Sequence, residues 1–194
     1  MTMVIRIPMR TRSSSSPPDK ISPETAERGQ PEMSARNEKT NVMRHLDGKK
    51  IPYEAHTYRP DASMSGVEIA ALLGEDPDKV FKTLVTAGRS GQHYVFVIPV
   101  ASELDMKKAA AVSGEKAVVM IKQKELLPLT GYIHGGCSPI GMKKPFPTWI
   151  HETAREQETM FVSAGKVGYQ IEIAPENLAE AAGCGFADLV KEQI

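Results

Sequence analysis

Two apolar runs in the middle of the chain, Val80 to Ala87 and His93 to Val100, are separated by Gly88-Arg89-Ser90-Gly91-Gln92. Runs of this length around a polar, glycine-containing break read as the two strands of a hairpin with a longer loop, and they are the expected central strands. On either side the period changes. Val42, Met43 and Leu46 recur at helical spacing in a stretch reaching back to Ala35, with Gly48 as its end, and Tyr53 to Tyr58 alternates as a strand. Gly66 opens a short helix through Val67, Ile69, Ala70, Leu72 and Leu73, closed by Gly74. Beyond the hairpin, Asp105 caps an Ala-rich helix from Met106 to Ser113 that Gly114 ends. Lys116 to Met120 returns as a strand, and Lys122 to Leu127 forms a helix stopped by Pro128. Thr148 to His151, Thr159 to Ser163 and Gly168 to Ala174 follow as strands, and Pro175 opens a last helix at its favoured first position. Seven strands interleaved with four or five helices, some hairpin-linked and some crossing over, predict an α+β protein with a mixed sheet.

The first forty residues lack such patterning. Ser13 to Ser16, Pro17, Pro18, Pro23 and Pro31 occupy a stretch with almost nothing apolar after Met9, which cannot bury enough surface to offset the entropy of ordering it. Residues 1–40 are therefore expected to be a disordered extension, with the folded domain at 41–194; Met33 or Met43 is an alternative start. Arg6, Arg10 and Arg12 ahead of the first acid, Asp19, give a faint likeness to a transit peptide, and the apolar cluster at Met3-Val4-Ile5 is too short for a secretory signal. Charge changes the picture by what it excludes. Lys plus Arg and Asp plus Glu number 24 each in the whole chain, and 17 against 19 in residues 41–194. A nucleic-acid binder working mainly through bulk electrostatics is excluded, leaving a local patch for which Lys107, Lys108, Lys143, Lys144 and Lys166 are the candidates. No apolar run has membrane length, so no membrane partner is expected. Two cysteines, Cys137 and Cys184, make no disulfide scaffold and suit a reducing, cytoplasmic setting.

Lys82 interrupts a run that otherwise looks buried on both faces. Its ammonium must point to solvent, the ordinary case for a strand lysine, or be held by a partner in a cleft. A second feature is the segment Thr130-Gly131-Tyr132-Ile133-His134-Gly135-Gly136-Cys137-Ser138-Pro139-Ile140-Gly141, whose glycines let backbone N–H groups converge on an anion or a carbonyl oxygen. It matches neither a P-loop nor GxGxxG, and a surface turn is the plainer reading. Ser163-Ala164-Gly165-Lys166-Val167-Gly168 reads as a hairpin loop. Cys137 lacks a base other than His134 and is expected to be an apolar filler rather than a nucleophile. The histidines show no metal-ligand spacing, so neither metal nor cofactor is expected. Asp105 and Glu103 beside Lys107-Lys108 read as helix capping and decoration.

Taken in order, His56-Thr57-Tyr58, Phe81-Lys82-Thr83-Leu84, Leu104-Asp105-Met106-Lys107-Lys108, the segment from Thr130 to Lys144, and Phe161-Val162-Ser163-Ala164-Gly165-Lys166 with Gly168 resemble the YbaK/EbsC family. Its members are free-standing relatives of the editing domain inserted in bacterial prolyl-tRNA synthetase. The resemblance implies a partly closed, barrel-like mixed sheet of six to seven strands with surrounding helices. It implies a trans-editing deacylase that acts on aminoacyl-tRNA, typically releasing cysteine from tRNA(Pro), with prolyl-tRNA synthetase as a candidate partner. Lys82 would anchor the terminal adenosine or its phosphate, and the N–H groups of Gly135 and Gly136, in a loop ending at Pro139, would face the aminoacyl carbonyl. Tyr58, Thr83, Ser138, Pro139 and Ser163 would bind substrate, and the substrate's own thiol would attack its carbonyl. The chain departs from cysteine-specific members at Met64-Ser65, at Gln170 and at Lys166-Val167, which leaves the preferred amino acid open. A deacylase for another small residue, and a non-catalytic module of the same fold that holds tRNA or a synthetase, are the alternatives.

Overall fold

A computed structural model describes residues 38–59 and 64–192; the expected extension lies almost wholly outside them. The predicted hairpin is the centre of a five-stranded sheet. β2 (Phe81–Gly88) and β3 (His93–Pro99) pair antiparallel, from Phe81 opposite Pro99 to Ala87 opposite His93. β4 (Val118–Met120) lies antiparallel along the other edge of β2, while β5 (Thr148–His151) and β8 (Gly185–Ala187) continue beyond β3 as parallel neighbours. β3 is the most deeply buried strand, with Val95, Phe96, Val97 and Ile98 all at 0% exposure, which explains why its sequence is a continuous apolar run rather than an alternation.

A second sheet, antiparallel and three-stranded, has the order β1 (Glu54–Thr57), β7 (Tyr169–Ile173), β6 (Met160–Ser163). Neither sheet closes into a barrel. Where one partly closed sheet was expected, two meet at an isolated parallel bridge between Val80 and Phe161. Val80 has just left the helical turn Pro77–Lys79, so β6 reaches the β2 edge there without extending the ladder. β8 was not anticipated: three residues after Gly183-Cys184 are too short a run to show a period.

The helices follow their caps. Thr40 accepts the N–H of Met43 and opens α1 (Asn41–Lys49), so the helix starts at its cap rather than at Ala35. It runs one residue past Gly48 and ends on Lys50 in the left-handed conformation, φ 57°. Ser65 and Glu68 form a reciprocal capping box on α2 (Gly66–Leu73), and Asp105 accepts from the N–H groups of Lys107 and Lys108 to open α3 (Met106–Ser113). α4 (Gln123–Thr130) passes through Pro128 instead of stopping there. The hydrogen bond that Pro128 forgoes would have gone to the carbonyl of Lys124, an exposed first-turn residue that water can satisfy. α5 (Pro175–Ala182) begins at proline as expected. Val42, Met43 and Leu46 of α1 pack with Ile150, Met160, Val162, Ile171 and Leu178 in the main core, and Trp149 stacks on Phe96 at 5.7 Å in a second cluster. No helix among the described residues is long and apolar enough to cross a membrane.

Candidate active site

The seam between the sheets opens into a cavity of about 360 Å³. From the five-stranded sheet β2 contributes Lys82 and Thr83; from the other come Ser163 at the end of β6, Gln170 of β7 and Tyr58 just past β1. Met64, Ser65 and the start of α2 supply one rim, and His134, Gly135 and Cys137 of the glycine loop supply another. Five of the sequence-predicted residues, Lys82, Gly135, Tyr58, Thr83 and Ser163, thus line one cavity, together with Met64, Ser65 and Gln170.

Lys82 is half-buried and its Nζ donates to the carbonyl of Val100 at 3.0 Å. Loss of water around the ammonium lowers its pKa below the usual lysine value, with Glu103 opposing the shift. A cation so placed keeps donor capacity beyond its one carbonyl acceptor. Beside it, the hydroxyl of Thr83 is, among the described residues, the buried side-chain polar atom with no hydrogen-bond partner. Buried hydroxyls are ordinarily satisfied, so this one, closed off from solvent within a strand that lines the cavity, is an exception. Ser163 accepts the N–H of Gly165 at 3.3 Å, which fixes its oxygen against the next turn. The phenol of Tyr58 is held neutral by burial.

Three predicted residues do not reach this cavity. Gly136 is buried, its N–H is spent on the carbonyl of Ile133 at 3.0 Å, and a Cβ there would stand 3.0 Å from the backbone nitrogen of Val167. It is the point where the two glycine loops touch, and Gly135, at φ 80°, is the glycine of this loop that lines the cavity. Ser138 is fully buried, with its hydroxyl oxygen 3.4 Å from the N–H of Ile140. Pro139 faces a separate hollow with His45, Lys49 and Met142. The loop is pinned from within: Tyr132 donates its hydroxyl to the carbonyl of Ile140 at 2.6 Å.

Cys137 lines the cavity, but burial pushes its thiol up to about 12, so it is protonated and unreactive at neutral pH. Cys184 is pushed up to about 12 for the same reason. Of the candidate basic patch, Lys108 is tied to Asp188 at 2.7 Å and Lys166 to Glu38 at 3.0 Å, whereas Lys107, Lys143 and Lys144 are exposed.

Sequence reasoning passed over Glu75. The two oxygens of its carboxylate lie 3.0 and 3.1 Å from the amide nitrogen of Gln170, in the amide orientation that satisfies both groups. Burial raises this carboxyl to about 7, with His56 lowering and Glu172 raising it further. His56 and Glu172 are 3.1 Å apart, and with Glu54 they bring three metal-capable atoms within 4.8 Å, a grouping no local spacing could reveal because β1 and β7 assemble it. A polar row, His56 opposite Gln170 opposite Ser163, therefore crosses the three-stranded sheet into the cavity.

This sheet pair, with a cleft walled by a half-buried lysine and a glycine loop, defines an aminoacyl-tRNA editing domain. A family model of that description matches residues 60–181, and the chain belongs to this family; it is a deacylase of that class. Among particular proteins, it is 44% identical over 157 residues, 80% of this chain and 96% of the other, to EbsC of Enterococcus faecalis, provisionally named a Cys-tRNA(Pro)/Cys-tRNA(Cys) deacylase. YwhH of Bacillus subtilis, uncharacterized, is 28% identical over 121 residues, 62% of this chain and 76% of the other. Two crystal structures share the fold. One, provisionally described as a trans-editing enzyme for prolyl-tRNA synthetase, superposes with a TM-score of 0.68 at 23% identity over 79% of this chain and 99% of the other. The second, hypothetical protein APE2540, gives 0.71 at 23% identity over 77% and 99%.

Proposed function

We propose that the protein releases mis-attached cysteine from tRNA(Pro), acting in trans, with tRNA(Cys) as a second acceptor. The observation that carries this reading is that the half-buried Lys82, Thr83 and Gly135 line one cavity. A pocket that accepts proline rejects cysteine poorly, because a difference of one methylene is worth only about 1–3 kcal/mol, so a second site has to clear the error. Lys82 anchors the terminal adenosine or its phosphate, the Gly135 N–H stabilises charge growing on the aminoacyl oxygen, and Thr83, Ser163 and Tyr58 hold the acyl end. With Cys137 protonated, the nucleophile comes from the substrate. Its thiol sulfur bonds to the carbonyl carbon, the ester C–O bond breaks, and the 3′-oxygen leaves with the electron pair and takes the thiol's proton. Prolyl-tRNA synthetase, a partner of stated relevance to the related crystal structure, would deliver the mischarged tRNA, and the work would be done in the cytoplasm.

Lys82→Ala tests the reading. Its kcat/KM on Cys-tRNA(Pro) is expected to fall at least ~100-fold, the scale of losing one charge-stabilising donor, with the melting temperature retained. Undiminished turnover in this variant would remove the anchor. Release of alanine or another small residue in preference to cysteine changes the substrate and keeps the class; protection of charged tRNA without release identifies a binding module.

A further inference from the structure

Next to the cavity lies a second hollow of about 440 Å³, lined by Gln123, Lys124 and Leu127 of α4 and by Ile133 and His134 of the following loop. His134 lines both spaces, so they adjoin across one side chain. Leu127 is 50% exposed and Ile133 54%, large aliphatic groups left in water at the rim of a concave surface. Single exposed aliphatics are ordinary. What distinguishes this pair is its charged frame: Lys124 lies in the wall, the Lys143 ammonium reaches the Leu127 carbonyl at 3.5 Å, and the lining holds no carboxylate.

The cavity's volume sets the rest of the argument. About 360 Å³ is at the small end of the range for small-molecule sites, room for the reacting end of the tRNA and not for the chain that leads to it. The preceding nucleotides must therefore leave over a rim. The His134 rim leads to apolar faces flanked by cations, Lys124 and Lys143. Unpaired RNA ends are held with phosphates beside ammonium groups and bases against side chains; here Lys124 and Lys143 offer the charge and Leu127, Ile133 and His134 the contact surface. We infer that the Leu127–Ile133 hollow is a subsite for the single-stranded nucleotides immediately 5′ of the esterified adenosine. This rests on the deacylase reading and adds to it where the tRNA lies.

The test compares two substrates on the full-length protein: Cys-tRNA(Pro), and cysteinyl-adenosine, which lacks those nucleotides. Ile133→Ser and Leu127→Ser are expected to raise KM for the charged tRNA about tenfold, a cost of ~1.4 kcal/mol, and to leave cleavage of the cysteinyl-adenosine ester unchanged. Equal loss on both substrates, or no loss on either, overturns the subsite. Should the wild-type protein cleave neither ester, the deacylase reading fails on its own. The subsite is then decided by fluorescence titration with the trinucleotide CCA: weakening by Ile133→Ser, with Lys124→Ala flattening the salt dependence by about one phosphate contact, upholds it. Unaltered trinucleotide binding overturns it.

Discussion

Lys82 shows what a single side chain gains from its surroundings. Burial disfavours its charged form, so the ammonium is lost at lower pH than for a lysine in water. If that charge anchors the substrate, the alkaline limb of the kcat/KM profile for Cys-tRNA(Pro) falls below the ordinary lysine value of 10.5, and a profile measured between pH 7 and 11 locates it. A limb at or above that value would separate the activity from this residue. Cys137 behaves oppositely. Held protonated by its surroundings, it is expected to resist iodoacetamide at pH 8, and Cys137→Ala is expected to keep kcat within about twofold, since a satisfied apolar contact is all it provides. Lys82 stands out in the sequence as an ammonium in an apolar run, but that run alone favours a solvent-facing lysine, and its place in a cleft was expected only from the family resemblance. The orphan hydroxyl of Thr83 was not legible, since a missing partner is a property of the whole neighbourhood and leaves no trace in Phe81-Lys82-Thr83-Leu84.

At the level of elements, the glycine segment reads from sequence either as converging N–H groups or as a surface turn, and its two glycines serve different ends. Gly135 adopts a positive φ at the cavity, while Gly136 lets the loop meet Val167. Gly136→Ala puts a Cβ against that backbone and is expected to cost about 1–3 kcal/mol of stability in urea denaturation; an unshifted midpoint would show that the loops can part freely. Residues 185–187 were missed because their strand character comes from outside, through pairing with β5 and through the N–H that Leu189 donates to the Nδ1 of His151 at 3.1 Å. His151 is buried, and burial lowers its pKa. Because the folded protein keeps this imidazole neutral while the unfolded chain protonates it near 6.5, its contribution is present at neutral pH and is lost as the pH falls below that value. The helices opened by Ser65 and Asp105 were legible to within a turn, whereas the first was extended back to Ala35 past its Thr40 cap, and the helix through Pro128 was cut short, where solvent replaces the bond a proline cannot make.

For the molecule as a whole, hairpin, helices and mixed class follow from periodicity, but the division into two sheets depends on where β6 meets β2, a long-range event without a local signature. Glu75 sits close to that division, facing His56 from β1 and Glu172 and Gln170 from β7. Its carboxyl ionises near 7 in the folded protein against 4.5 in the unfolded chain. Between those values only the folded state retains the proton, so stability falls as pH rises through the window and levels off above it. Glu75→Gln removes this slope, and at pH 8 the variant is expected to melt about 2–4 °C above wild type, with a smaller gap at pH 5. An equal gap at both pH values would show that the carboxyl titrates normally.

The bridge between Val80 and Phe161 also has a mechanical corollary. Among the described residues the two ladders share that one backbone bridge, and otherwise their spacing is set by the side chains wedged between them, Phe81, Val97 and Ile150 from one against Met160, Val162 and Ile171 from the other. Resizing those wedges therefore changes the gape of the cleft while every residue on its lip keeps its identity, which gives such a scaffold a way to retune what it admits without rewriting its chemistry.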